Sequence, residues 1–256
     1  MASTSVTGNL HLLVELVKRD FLGRFTGSVL GVFWAILQPL SLVTLYWFVF
    51  TKMIPRSPDA GSAAYPLFLI SGILPYLGFQ EGIMRATTSI VDNSAMVRRL
   101  TFRSDVLILV PNVSALLFEL IGIIIFTIYL AIRGESFYWI WVLPVAMFIQ
   151  FTLQTGLSLF LSTLHVFFRD VTQVLGFLLT IGFFLSPILY SGEGRYAAIF
   201  AWNPMTPLLG LFRSAVLSSP LPGAASIVFL LAVTTATFIL GLSFFRRAQP
   251  TIADLL

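Results

Sequence analysis

The chain has 256 residues, 57% hydrophobic and only 10% charged, with a net charge of +4 and a mean hydropathy of +0.94. Soluble domains carry about 25% charged residues, so this composition cannot cover a globular surface in water and excludes an ordinary soluble protein. The lack of cysteine excludes disulfides and thiolate chemistry, and the 15 basic residues are too few and too scattered for a nucleic-acid surface.

The first residues lack a short apolar core followed by a small-residue cleavage site, so no removable signal peptide is expected. Residues 10–26 place Leu10, Leu13, Val17 and Phe21 at helical spacing, with His11, Glu15, Lys18, Arg19 and Arg24 on the other sides. That pattern predicts a helix in the membrane interface, its apolar side in the acyl boundary and its basic side among phosphates. Gly27-Ser28 should turn the chain, because residues 29–50 then carry no charge.

A membrane-spanning helix needs about 20 largely apolar residues. Six segments meet or approach this: 28–51, 65–91, 106–132, 138–168, 174–190 and 224–245. The fourth is longer than needed; the fifth is short and stops at Ser186-Pro187, where proline removes a backbone donor. With both termini cytoplasmic, nine basic residues fall inside (Lys18, Arg19, Arg24, Arg98, Arg99, Arg103, Arg169, Arg246, Arg247) and five outside (Lys52, Arg56, Arg133, Arg195, Arg213). The excess of inner lysine and arginine favours that orientation.

The inner loop DNSAMVRRLTFRSD, Asp92–Asp105, suits a short helix along the membrane surface. The outer stretch 191–223 is apolar in its middle, yet Asn203-Pro204 and Pro207 interrupt it too often for a span. Two short helices entering the outer leaflet and returning would account for it, provided their backbone is enclosed by protein. The expected fold is therefore an all-α polytopic membrane protein, a single domain over residues 1–256. It has six transmembrane helices, an N-terminal amphipathic interfacial helix and re-entrant outer-leaflet helices before the last span.

Ionisable residues inside spans are costly, about 2.5–3.5 kcal/mol at a helix centre on insertion scales. Glu81 and Arg85 are spaced i, i+4 and are expected to neutralise each other. Glu119 has no arginine at helical spacing; the Gln150, Gln154, Ser158 stripe is its expected partner. His11 and His165 form no ligand pair, so no metal site is expected. G-x-S-x-G and G-x-x-x-x-G-K-[ST] are both missing, which argues against hydrolytic machinery and against ATP hydrolysis by this chain.

Four ordered blocks resemble the permease subunit of polysaccharide-exporting ABC transporters, the type-2 exporter class serving O-antigen, capsule and teichoic acid export. They are LVKRDFLGRFTGSVLGVFWAILQPL (16–40), FFRDVTQVLGFLLTIGFFLSPILYS (167–191), WNPMTPLLGLFRSAVL (202–217) and FFRRAQPTIADLL (244–256). The resemblance implies a non-enzymatic homodimeric permease in the bacterial inner membrane, driven by two ATPase subunits that bind ATP and Mg, with a lipid-linked glycan as substrate. It also implies that loop 93–103, with Arg98, Arg99 and Arg103, receives the ATPase's motion, with Arg169 and Asp170 as a second contact.

For a glycan channel, aromatic faces interleaved with polar groups are expected on its wall. Trp34, Gln38 and Ser41 share one side of the first span, Tyr76 and Gln80 lie on the second, and Phe177 and Phe184 share a side of the fifth. Lys18, Arg19 and Arg24 would meet the phosphate of an arriving lipid-linked substrate. Competing readings are a type-2 permease for drugs or small lipids, a secondary transporter, and a membrane scaffold. The second would need internal repeats with helices broken at the midplane, which the sequence lacks; a scaffold would not need a polar wall.

Overall fold

The computed structural model describes residues 6–49, 65–99, 104–190 and 197–255, and every regular element among them is helical. In chain order these are α1 (Val6–Gly23), α2 (Trp34–Phe48), α3 (Tyr65–Asp92), α4 (Ser94–Arg99), α5 (Ser104–Ile132), α6 (Val142–Phe167), α7 (Val171–Leu185), α8 (Ala197–Ala201), α9 (Met205–Leu217) and α10 (Ala224–Leu255). Five stretches are long and apolar enough to cross a membrane: residues 31–48 with α2, then α3, α5, α6 and α10. The fifth expected span is α7, whose 15 residues rise only about 22 Å, less than the roughly 30 Å of a hydrocarbon core. It stops at Ser186-Pro187, where the sequence interrupts it.

The break after α1 falls where glycine demands it. Gly27 takes φ +82°, a conformation that strains any residue with a Cβ, and a 3-10 turn at Gly31–Phe33 then leads into α2. α3 is apolar or small around most of its circumference, the pattern of a helix enclosed by others. It lies at the centre, against α2, α5, α6, α7 and α9. α10 packs along α6 with a very close approach: a Cβ on Gly156 would lie 2.7 Å from the Phe238 backbone. Membrane helices achieve such contact through small residues, because lipid supplies little hydrophobic drive for helix association.

The expected loop helices form. α4 lies in the 93–103 loop, and α8 and α9 occupy the described part of 191–223. α9 is enclosed on nearly every side by α3, α6 and the start of α10, so its backbone meets protein, as irregular structure at membrane depth must. Two boundaries differ from expectation: α6 starts at Val142, after a turn through 138–141, and α10 continues past Phe245 to Leu255.

Candidate transport path and coupling surfaces

Among the described residues the ion pairs gather where the end of α1 meets α3. Arg85 donates from Nη1 and Nη2 to the Asp20 carboxylate at 3.1 and 2.6 Å. Arg24, one turn after Asp20, pairs with Glu81, and its guanidinium lies 3.9 Å from the Phe118 ring centroid. The expected Glu81–Arg85 pair is therefore corrected: Arg85 binds Asp20 of α1, and Glu81 binds Arg24, the residue that follows α1. Neighbouring side chains on one helix gain only about 0.2–0.5 kcal/mol from pairing, whereas two-pronged bonding across a partly dehydrated junction is charge-assisted and stronger. Burial alone would raise the Asp20 pKa, but the Arg85 hydrogen bonds and the Arg85 and Arg24 charges outweigh it and hold it below its ordinary value. Burial lowers the Arg24 pKa, with the Glu81 charge opposing.

This arrangement separates the three basic residues expected at the substrate access point. Arg24 is engaged with Glu81, while Lys18 and Arg19 are exposed. Arg19 borders a cavity of about 170 Å³ with Asp20, Arg85, Thr88, Asp92 and Asn93, so both charge signs face it. Lys18 borders an apolar groove between α1 and α5.

A second cavity of about 170 Å³ lies among α2, α3 and α5 and brings Gln38, Arg24, Glu81 and Glu119 to one space. Behind it runs the polar stripe. Glu119 accepts from Gln150 Nε2, which also donates to the Pro75 carbonyl at 3.4 Å. Gln154 Nε2 donates to the Asn112 carbonyl at 3.1 Å, and Ser158 Oγ to Asn112 Oδ1 at 3.3 Å. The Glu119 contact with Gln150 is the one the sequence anticipates, and Asn112 of α5 ties in the other two stripe residues.

The expected channel residues divide. Trp34 (40% exposed), Gln38 and Ser41 lie on the open side of α2, and Phe177 and Phe184 on the open side of α7. Gln80 is half-buried on α3. Tyr76 is only 1% exposed: its hydroxyl donates to the Leu179 carbonyl at 2.5 Å, and Phe183 meets its ring edge-on with centroids 5.4 Å apart. Within a single chain Tyr76 is a packing residue between α3 and α7 and does not stand on an open wall.

At the opposite end of the bundle from α1, Asn203 fastens α7 to α9. Its Nδ2 donates to the Leu185 carbonyl at 2.9 Å, and its Oδ1 accepts the Met205 N–H at 2.9 Å. Arg213, counted among the basic residues of the outer side, is enclosed at 8% exposure. It donates to the Pro187 carbonyl at 2.6 Å and lies 3.6 Å above the Phe68 ring. Among the described residues no carboxylate pairs with it.

The loop candidates for ATPase coupling share the end that carries α1. α4 follows α3 there, and Arg169 and Asp170 are exposed in the α6–α7 turn. Arg103 and the side chains of Arg98 and Arg99 lie outside the described residues, as do Lys52, Arg56 and Arg195.

The sequence matches the model of the ABC-2 type transporter family over residues 11–217. The chain belongs to the ABC-2 type transporter family. It is 26% identical to an O-antigen export system permease protein of Klebsiella pneumoniae across 96% of this chain and 95% of that one. The corresponding permease of Myxococcus xanthus is 27% identical, covering 95% of this chain and 94% of its own length. A polysialic acid transport protein of Escherichia coli is 26% identical over 93% of each chain. Family and helix content together make this a multi-pass membrane protein.

Asp20, Asn112 and the enclosed role of Arg213 escape a reading by sequence alone. Two had a signal: Asp20 is spaced i, i+4 from Arg24, and Asn112 lies two turns before Glu119 on one side of α5. Arg213 had none, because its partners are carbonyls of distant segments.

Proposed function

We propose that this chain is the membrane subunit of an ATP-driven exporter that moves lipid-linked polysaccharide, of the lipopolysaccharide O-antigen class, across the bacterial inner membrane. The observation that carries this reading is the near full-length match to permeases named for O-antigen export. Two copies would form the channel. The aromatic and polar side chains left open on α2 and α7 (Trp34, Gln38, Ser41, Phe177 and Phe184) support a wall completed by a second copy. Ring faces would pack on the apolar C–H faces of sugars while amides and hydroxyls bond their hydroxyl groups.

Both termini would be cytoplasmic. An ATPase subunit binding ATP and Mg would then dock at the end bearing α4 and the α6–α7 turn, with Arg98, Arg99, Arg103, Arg169 and Asp170 offering charged contacts. The missing phosphate-binding loop supports such a division of labour. Lys18 and Arg19, exposed beside the turn into α2, suit the phosphate of an arriving substrate.

The test is reconstitution. The purified chain should hydrolyse no ATP, should co-purify with an ATPase that carries a phosphate-binding loop, and should export lipid-linked glycan only in its company. Arg98→Glu with Arg99→Glu should leave membrane insertion intact and uncouple hydrolysis from export. Export without any ATPase would overturn the reading, and normal coupling in the double variant would remove α4 from the contact.

A further inference from the structure

We propose that the groove between α1 and α5 is a binding site for an anionic phospholipid of the surrounding bilayer, with an acyl chain laid along α5 and its phosphate against Lys18. α1 meets α5 where Leu16 and Val17 pack on Val106 and Val110, and again where Phe21 stacks on Phe118. Beside these contacts the two helices leave a groove of about 620 Å³, its walls including Val14, Leu22, Val113, Leu117, Ile121 and Ile124. Lys18 is the one charged residue among those that line it.

The proportions suit a lipid. From Val113 to Ile124 the α5 wall runs about 16 Å, roughly half a hydrocarbon core. On α1 the lining runs from Leu13 to Leu22 with Lys18 near its middle, and on α5 it is wholly apolar from Val113 to Ile124. A long apolar chain hung from a phosphate has this layout: lysine holds a compact, strongly hydrated charge at the head-group level while its stem lies along apolar surface.

The charge selects the head group. No acidic side chain lines this groove, in contrast to the cavity on the other side of α1, where Asp20 and Asp92 accompany Arg19 and Arg85. A lone cation favours a net-negative head group over a zwitterion. The walls also lack the amides, hydroxyls and open aromatic stripes of α2 that would engage a sugar. The inference does not rest on the export reading. If it holds, Lys18 serves bilayer lipid and Arg19 alone is left for the phosphate of an arriving substrate.

The test uses the full chain in a nonionic detergent with phosphatidylglycerol and phosphatidylcholine analogues bearing a photoreactive acyl chain. Phosphatidylglycerol should label α5 between residues 113 and 124, and unlabelled phosphatidylglycerol should compete at several-fold lower concentration than phosphatidylcholine. Lys18→Gln should abolish that preference, and Leu117→Trp should fill the groove and suppress labelling while the protein still elutes as a folded species. Should the tryptophan variant unfold, Lys18→Gln decides alone, since this exposed position tolerates glutamine. Equal labelling by both lipids, unchanged in Lys18→Gln, would overturn the proposal by reducing the groove to ordinary bilayer contact. Displacement of phosphatidylglycerol by a polyprenyl-phosphate-linked glycan would overturn it too, by assigning the groove to substrate.

Discussion

Arg85 and Asp20 are joined through two hydrogen bonds, at 2.6 and 3.1 Å, that cross from the middle helix of the bundle to the amphipathic helix at its edge. With Arg24 bonded to Glu81 one turn away, the pair clamps the last turns of α1 to α3.

Breaking the clamp on either side should have matching effects. Asp20→Asn and Arg85→Gln should each destabilise the protein by about 1–2 kcal/mol, because charge-assisted bonds contribute more than neutral ones but this pair is partly exposed. The double variant Asp20→Asn, Arg85→Gln should cost less than the sum of the two single losses, because both substitutions remove the same bonds. Thermal unfolding of the four proteins in detergent gives the coupling energy, and additive single effects would show that the two residues act independently.

The same pair predicts a pH response. Asp20 ordinarily titrates near 3.8, and the neighbouring guanidinium groups hold it lower in the folded protein. A carboxylate with a depressed folded pKa contributes its full stabilisation above its unfolded value and loses it as the pH falls through the folded one. Attachment of α1 should thus be constant from neutrality down to about pH 5 and weaken only at and below the ordinary Asp range. Cysteine cross-linking between α1 and α3 would report it, and Asp20→Asn should flatten the profile.

Trp34 and Tyr76 should part company on substitution. Tyr76→Ala removes a ring enclosed by Phe183 and a hydroxyl bonded to Leu179, so the melting temperature should fall by several degrees along with export, at a cost of about 3 kcal/mol. Trp34→Ala, at an exposed position, should leave melting nearly unchanged and reduce glycan export. Unimpaired export by Trp34→Ala would place that ring against lipid.

Arg213 should resist replacement even by lysine. Its guanidinium simultaneously donates to the Pro187 carbonyl and covers the Phe68 ring, a geometry an ammonium cannot reproduce. Arg213→Lys should cost about 1–2 kcal/mol, and Arg213→Gln about 2–3 kcal/mol with the lost cation–π contact. Loosening of α9 against α7 should follow, visible as faster cross-linking of cysteines placed on exposed positions of either helix. Wild-type stability in both variants would show that α9 is held by apolar packing alone.

The amino-acid sequence by itself determined the class and the order of elements. Charge-free runs of about 20 residues have few homes outside a membrane, and Gly27, Ser186-Pro187 and Asn203-Pro204 are local breaks whose effect depends on the residues themselves. The Glu119–Gln150 contact was legible as well, because a lone buried carboxylate needs a polar partner and α6 offers a single polar stripe. Which charges pair was decided only by tertiary structure. Glu81 and Arg85 satisfy the local rule for an ion pair, yet the packing of α1 on α5 brings Asp20 and Arg24 within reach of α3, and cross-helix bonds in a dehydrated junction outweigh a weak neighbour pair. Enclosure was likewise invisible along the chain. Tyr76 and Trp34 are both aromatic residues on apolar helices, and only the lid formed by α7 separates a packing ring from an exposed one.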